Sequence, residues 1–98
     1  MKTQANIVVL AEGDNVGVAV QPIGPGDSAR SAAVHRVTAV EEIPLGHKIA
    51  LRPIVSGEKI IRLGVPVGIA TADIASGRLV HVHNVKSQYL DNVEDHYE

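Results

Sequence analysis

The sequence contains no cysteine, no tryptophan and no phenylalanine, and two tyrosines, Tyr89 and Tyr97, are its only large aromatic side chains. A chain without cysteine has no disulfide scaffold, no thiolate metal site and no catalytic thiol, which is compatible with a reducing compartment. Two tyrosines near the C-terminus provide no stacking platform for single-stranded RNA or DNA. These absences exclude several classes of secreted, redox and nucleic-acid-binding proteins.

An excess of charge of one sign is also missing. The 98 residues carry 9 Lys and Arg against 11 Asp and Glu, a formal charge of −2, so the chain has no strongly basic surface for nonspecific nucleic-acid binding. The apolar run at residues 7–11 is shorter than the core of a signal peptide and far shorter than a membrane span. We therefore expect a cytoplasmic protein that binds neither nucleic acid nor membrane.

The residues that are abundant favour strands. The chain has 15 Val and 9 Ile against 6 Leu, and β-branched side chains suit a pleated sheet better than a helix. Its 9 Gly and 5 Pro divide it into short pieces, which predicts a small all-β domain. Periodicity places strands at residues 5–11, 15–20, 34–40, 47–51, 58–63, 66–70 and 78–85. A hairpin turn is predicted at residues 12–15 and a loop at residues 21–33.

The chain is predicted to hold one domain, residues 1–86, followed by an acidic tail, residues 87–98. The tail contains four Asp and Glu residues and no Lys or Arg, which leaves residues 1–86 with 9 basic and 7 acidic side chains. A partner of complementary charge could order the tail, and a solvated terminus is the simpler interpretation.

An irregular internal repeat is the most informative pattern in the domain. Four segments share the sequence Ile-x-x-Gly, with glycines at Gly26, Gly46, Gly57 and Gly77 that are separated by 20, 11 and 20 residues. We expect each segment to be a single turn of 3₁₀ or α geometry, with a buried Ile and a left-handed Gly, that leads into a strand. The uneven spacing predicts a pseudo-symmetric, folded-over β structure rather than a solenoid.

The segment His81-Val82-His83-Asn84 carries one candidate site. If it continues the last strand, both imidazoles project from one face. Neutral imidazoles bind divalent transition metals, and protonated ones bind carboxylate or phosphate. Surface decoration without a function is the alternative for such a pair.

Two further groups of candidates lie next to turn glycines. His47 and Lys48 follow Gly46, and with His81 and His83 the ring of His47 would make a three-imidazole metal site. Arg62 begins a glycine-punctuated loop that could present backbone N–H groups and a guanidinium to an anion. An exposed His-Lys pair and a plain turn are the alternatives. His35 and His96 are predicted to lie outside the site.

In this order along the chain, the motifs resemble the N-terminal SAF-type domain of the altronate and galactarate dehydratases over about residues 5–86. The motifs are Gly46-His47-Lys48-Ile49-Ala50-Leu51, Ile61-Arg62-x-Gly64-x-Pro66-x-Gly68, Ala72-Asp73-Ile74-Ala75-x-Gly77 and His81-Val82-His83-Asn84. The resemblance implies a β-clip fold. The sequence departs from the family pattern at Arg62, where we expect Lys.

The resemblance also implies a function. In that family the domain is fused to a large catalytic domain, and the related sulfolactate sulfo-lyase has a SAF-type alpha subunit of similar size. We therefore expect the small subunit of a lyase, inactive without a large dehydratase-like subunit, that eliminates water or sulfite from a small anionic 2-hydroxy carboxylate such as a sugar acid. A noncatalytic module that binds carbohydrate or a partner protein is the alternative.

The resemblance suggests a role for each candidate residue. His47, His81 and His83 would act in catalysis or as ligands of a divalent metal, with iron as one candidate. Lys48, Arg62 and Asn84 would bind the substrate.

Overall fold

The computed structural model describes residues 5–32 and 35–86, and the regular structure in these ranges consists of short strands joined by turns. The strands are β1 (Ile7–Val8), β2 (Val16–Ala19), β3 (Ser28–Arg30), β4 (Arg36–Thr38), β5 (Lys48–Ala50), β6 (Lys59–Arg62), β7 (Val65–Ala70), β8 (Leu79–Val80) and β9 (Val85–Lys86). The prediction of a small all-β domain is confirmed. The two ranges contain no apolar helix long enough to cross a membrane. The predicted acidic tail, residues 87–98, lies outside the described residues.

The described strands form three antiparallel sheets. β1, β2, β5 and β8 lie side by side in that order, β3 pairs with β4, and β7 lies between β6 and β9. The predicted turn between β1 and β2 is present, with Gly13 at a positive φ of 96°. A positive φ is accessible to glycine without a steric cost, which explains the tight reversal at this point.

Two predicted boundaries are wrong. The strand predicted over residues 78–85 is divided into β8 and β9 by a turn at residues 81–84, closed by a hydrogen bond of 3.0 Å from the Asn84 N–H to the His81 carbonyl. The loop predicted over residues 21–33 contains β3, whose central Ala29 is fully buried. A single buried alanine between polar residues gives a weak periodic signal, so the sequence alone does not indicate this strand.

The four Ile-x-x-Gly segments adopt the same conformation, and it is a type II β-turn. In each, the residue after the glycine donates its N–H to the carbonyl three positions earlier, and the glycine has a φ between 84° and 91°. A positive φ at the third turn position defines type II. The predicted 3₁₀ or α geometry is therefore wrong, while the predicted left-handed glycine and buried isoleucine are confirmed.

The turns associate in two pairs by reciprocal backbone hydrogen bonds. A buried alanine precedes each turn isoleucine by four positions: Ala19, Ala39, Ala50 and Ala70. In each turn the glycine N–H donates to the alanine carbonyl of the paired copy, at 2.7–2.8 Å. Ile23 bridges Ile43 in the first turn pair, and Ile54 bridges Ile74 in the second turn pair. Each pair is thus a local two-fold repeat.

Each turn pair has its own hydrophobic core. The first cluster consists of Ile7, Ala19, Ile23, Ala29, Ala39, Ile43 and Ile49. The second consists of Val16, Ala50, Ile54, Ile60, Ala70, Ile74 and Val80. Burial of one isoleucine side chain stabilises a fold by about 1.5–3 kcal/mol, so the turn isoleucines anchor both clusters. β5 is shared, because Ile49 belongs to the first cluster and Ala50 to the second.

Candidate functional site

The register of β5 and β8 brings two histidines together. Lys48 lies opposite Val80 in this antiparallel pair, so one position further along His47 lies opposite His81. Their ring centroids are 4.6 Å apart, and the ring planes are inclined by 51°. Two imidazoles that are 34 positions apart in the sequence are therefore in contact.

An open cavity of about 330 Å³ begins beside this histidine pair. Among the described residues, its lining combines three basic side chains with apolar ones and includes no Asp or Glu: Lys48, Ile60, Arg62, Val67, Val80, His81, Val82 and Val85. We call it the cationic cavity. Three of the residues that the sequence analysis singled out, Lys48, Arg62 and His81, thus share one recess, and His47 lies against its edge.

The two strong cations of this cavity lie close enough to repel each other. Burial and the charge of Arg62 lower the pKa of Lys48 below its ordinary value. The Nε atom of Arg62 is buried and has no hydrogen-bond partner among the described residues. Neither Lys48 nor Arg62 takes part in the ion pairs found in residues 5–32 and 35–86. An anion in the cavity would relieve the repulsion and accept from these donors.

The electrostatic environment of His81 is also positive. Loss of solvent around the ring lowers the pKa of His81, and the charges of its neighbours lower it further. These neighbours are His47, Lys48 and His83. His83 is exposed on the turn of residues 81–84, so the predicted strand alternation that placed His81 and His83 on one face is wrong. His83 nonetheless lies near enough to His81 to affect its charge.

Asn84 is buried under the same turn, with 7% of its surface exposed. Its amide oxygen accepts from the His81 N–H at 2.9 Å, and its amide nitrogen donates to the Leu79 carbonyl at 2.8 Å. Both ends of the side chain are therefore engaged within the turn. Direct contact between Asn84 and a substrate stays a prediction.

The predicted metal site is not assembled by the described residues alone. No three His, Asp or Glu side chains in residues 5–32 and 35–86 are grouped closely enough to hold a metal ion. His47 and His81 provide two adjacent imidazoles, which do not make a complete ligand set. The divalent ion at His47, His81 and His83 stays a prediction.

The apolar part of the site was missed by the sequence analysis. Ile60 and Val80 are buried under the cationic cavity, and each lies three positions after a turn glycine, as do Ala29 and Ile49. The repeat therefore contained a signal for the cavity floor. His35 lines a second, larger cavity of about 570 Å³ beside β1 and is not among the residues that line the cationic cavity. His96 lies outside the described residues.

Comparison with known proteins agrees with the resemblance noted from the motifs. The profile of the altronate/galactarate dehydratase SAF domain matches residues 5–88. The altronate dehydratase of Escherichia coli K12 is 40% identical over 78 residues, which are 80% of this chain and 16% of that enzyme. The altronate dehydratase of Bacillus subtilis 168 is 34% identical over 86 residues, 88% of this chain and 17% of that enzyme.

A second group of relatives consists of lyase subunits. The (2R)-sulfolactate sulfo-lyase subunit alpha of Paracoccus pantotrophus is 38% identical over 53 residues, 54% of this chain and 79% of that subunit. The chain thus matches less than a fifth of each dehydratase but most of this subunit. Because the family profile spans most of its length, the chain belongs to the SAF domain family of the altronate and galactarate dehydratases.

Proposed function

We propose that this domain forms one wall of a lyase active site, where it binds the carboxylate of a 2-hydroxy acid. The observation that carries the proposal is the cationic cavity, where Lys48 and Arg62 lie together and the described part of the chain contributes no acidic side chain to the lining. The Nε of Arg62, which is buried and has no acceptor within residues 5–32 and 35–86, supports it, because a buried donor without an acceptor destabilises a fold unless a ligand or water satisfies it. The names of the relatives suggest sugar acids and sulfolactate as substrates.

β-Elimination from such a substrate needs three kinds of group. A base removes the proton next to the carboxylate, and the electron pair of that C–H bond forms a double bond as the bond to the leaving group breaks. In our proposal Lys48 and Arg62 hold the carboxylate and stabilise the negative charge that develops on it. A protonated imidazole from His47, His81 or His83 donates a proton to a departing hydroxyl, which leaves as water. In this proposal the base comes from a larger companion chain or domain.

A larger companion is the second part of the proposal. The cationic cavity is an open recess with Val82 at its edge, and this side chain is 79% exposed. The dehydratase relatives are about six times longer than the region they share with this chain, and the sulfo-lyase relatives are named as subunits. We propose that a dehydratase-like chain or domain covers the recess and supplies the base.

Binding of a sugar acid to the 98-residue chain tests the first part. In an NMR titration with galactarate, shifts should concentrate on the residues of the cationic cavity. Arg62→Met should weaken binding by at least about tenfold, because a charge-assisted hydrogen bond contributes about 1.5–3 kcal/mol. Lys59→Met is the matched control, since Lys59 is an exposed cation on the same strand outside the cavity. An equal loss in both variants would show that only net charge attracts the ligand.

Reconstitution tests the second part. The chain, mixed with a dehydratase-like large chain, should elute as one complex on size exclusion and release water or sulfite from altronate, galactarate or sulfolactate. Substitution of His81 and His83 by Ala should lower turnover by orders of magnitude. Separate elution of the two chains would contradict the companion, and unchanged turnover would remove these imidazoles from the site. Metal analysis of the same complex checks the predicted divalent ion.

A further inference from the structure

Three asparagine side chains form the same pair of hydrogen bonds at three places in the fold. In each, the amide nitrogen donates to a strand carbonyl and the amide oxygen accepts from the N–H two residues further along the chain. Asn6 joins Ser28 and Arg30 at 2.9 and 2.7 Å, Asn15 joins Lys59 and Ile61 at 2.9 and 2.8 Å, and Asn84 joins Leu79 and His81 at 2.8 and 2.9 Å. We call each arrangement an asparagine clamp.

The clamps occupy equivalent places in the repeat. Each holds the strand that follows one of the type II turns, at the second and fourth positions after the turn glycine. An asparagine side chain suits this position because it carries a donor and an acceptor side by side, as a neighbouring strand would. All three asparagines are buried, so their hydrogen bonds are shielded from competing water.

The clamps differ in what they hold. The clamp of Asn6 holds β3, which contributes nothing to the lining of the cationic cavity. The clamp of Asn84 holds the backbone of His81 itself, whose ring lines the cavity and touches His47. Two matched hydrogen-bonded side chains, 6% and 7% exposed, thus lie respectively outside and inside the candidate site.

Asn84 also fixes its turn through the backbone. Its N–H donates to the His81 carbonyl at 3.0 Å, and its carbonyl accepts from the Thr71 N–H at 2.9 Å. Every polar group of Asn84 is therefore used, and together they tie the turn to β8 on one side and to the end of β7 on the other. His81 lies at the first position of this turn and is exposed, so its backbone direction decides where its ring lies.

We infer that Asn84 is a positioning residue that holds the ring of His81 against His47 at the edge of the cationic cavity. This inference rests on the proposed function, since it gives Asn84 a role in that same site. The inferred role is indirect, because the asparagine acts on the site through the backbone of His81.

The test compares Asn84→Ala with Asn6→Ala in the 98-residue chain. In the unchanged chain, a nuclear Overhauser effect between the ring protons of His47 and His81 should report their contact. Asn84→Ala should abolish this signal and weaken galactarate binding about tenfold, because the His81 imidazole, which in our proposal contacts a hydroxyl of the ligand, would be displaced from the cavity. Asn6→Ala should lower the thermal midpoint about as much as Asn84→Ala does, yet keep both the ring contact and the affinity.

The outcomes separate this inference from the proposed function. If the unchanged chain does not bind galactarate while the ring contact responds as described, the proposed function fails and the positioning role stands. If the chain binds galactarate and Asn84→Ala leaves contact and affinity unchanged, the positioning role fails. If both alanine variants lose the contact equally, the effect belongs to the fold as a whole and the inference is overturned.

A second variant covers the case in which Asn84→Ala does not fold. Asn84→Ser keeps an oxygen that can accept from the His81 N–H and loses the donor to the Leu79 carbonyl. It should retain the ring contact and part of the affinity. Failure of both Asn84 variants to fold, beside a folded Asn6→Ala, would overturn the inference, because Asn84 would then be required for the fold rather than for the site.

Discussion

The first and second turn pairs have almost the same backbone and very different surfaces. Both contain two type II turns, two bridged isoleucines, two buried alanines and seven clustered core residues. The basic side chains of the cationic cavity, however, come from only three strand regions: Lys48 on β5, Arg62 on β6 and His81 after β8. The repeated positions therefore build the fold and the apolar floor of the cavity, and positions that differ between the repeats supply its basic side chains.

The site also depends on contact between the pairs. Lys48 follows the second turn of the first pair, whereas Arg62 and His81 follow the two turns of the second pair. β5 and β8 are hydrogen-bonded neighbours in the four-stranded sheet, which places the side chains of both pairs around one recess. A single turn pair could not form the cationic cavity.

The largest predicted effect breaks the equivalence of the turns at Gly77. A Cβ added at Gly57 would meet no atom within 4 Å, whereas one at Gly77 would overlap the Thr38 carbonyl oxygen, where the two pairs are in contact. Gly57→Ala should lower the free energy of unfolding by about 1–2 kcal/mol through its left-handed φ alone. Gly77→Ala should lower it by about 4 kcal/mol, because overpacking adds to that cost.

Chemical denaturation of the two variants under one set of conditions measures this difference. Gly26→Ala serves as a control from the first pair, since a Cβ there also meets no atom within 4 Å. Equal losses at Gly57 and Gly77 would contradict the close approach of the fourth turn to the first pair.

A smaller effect is expected at Asp14, which precedes the clamp residue Asn15. The equivalent position before the clamp residue Asn6 is Ala5, which has no carboxylate. Asp14 is buried and accepts hydrogen bonds from the Ala11, Leu63 and Gly64 N–H groups at 2.9–3.0 Å. Burial alone would raise the pKa of Asp14, but these hydrogen bonds outweigh it and lower the pKa below 3.8. Asp14→Asn should therefore lower the free energy of unfolding at pH 7 by about 2 kcal/mol.

The pH dependence follows from the direction of that shift. A carboxyl group whose pKa is lower in the folded chain stabilises the fold fully above its unfolded value of 3.8, and this contribution is lost as the pH falls through the folded value. The difference between the unchanged chain and Asp14→Asn should thus be larger at pH 6 than at pH 3. A constant difference, measured by denaturant titration at both values, would contradict the hydrogen-bonded carboxylate.

The smallest effect concerns an ion pair on the surface of the second turn pair. Arg52 contacts Glu58 at 2.9 Å, with 51% and 28% of the side chains exposed. Glu58 also accepts from the Val55 N–H, as Asp27 accepts from the Gly24 N–H in the first pair. Arg52→Met should change the free energy of unfolding by less than about 0.5 kcal/mol. A loss above about 1 kcal/mol at 0.15 M salt would show that the pairs differ more than their backbones indicate.

Much of the fold was predictable because the repeat consists of residues with strong conformational or burial preferences. The glycines and isoleucines of the four turns identify left-handed turns and core anchors, and both features are present. The turn type was not predictable, since a left-handed glycine is common to type II turns and to helix ends. The four buried alanines were missed because a small side chain gives little periodic signal.

Lys48, Arg62 and His81 were singled out from the sequence and share one cavity, but their arrangement was not predictable. The contact between His47 and His81 depends on the register of β5 and β8, and the place of Arg62 depends on an irregularity between Ile60 and Ile61 where β6 pairs with β7. Such registers are fixed by packing across the sheet. The strand predicted through His81 and His83 failed for a local reason, since the Asn84 amide forms hydrogen bonds that compete with strand pairing.

The sharing of β5 has a consequence for any attempt to divide the protein. Ile49 and Ala50 are adjacent residues that face different cores, so β5 cannot be assigned to one turn pair or divided between the two. Fragments that end and begin at this strand would each expose an apolar surface and could regain the native arrangement only by reassembling with one another. Insertions, tags and new chain ends should therefore avoid residues 46–57, because this segment joins the two turn pairs and contributes to both hydrophobic clusters.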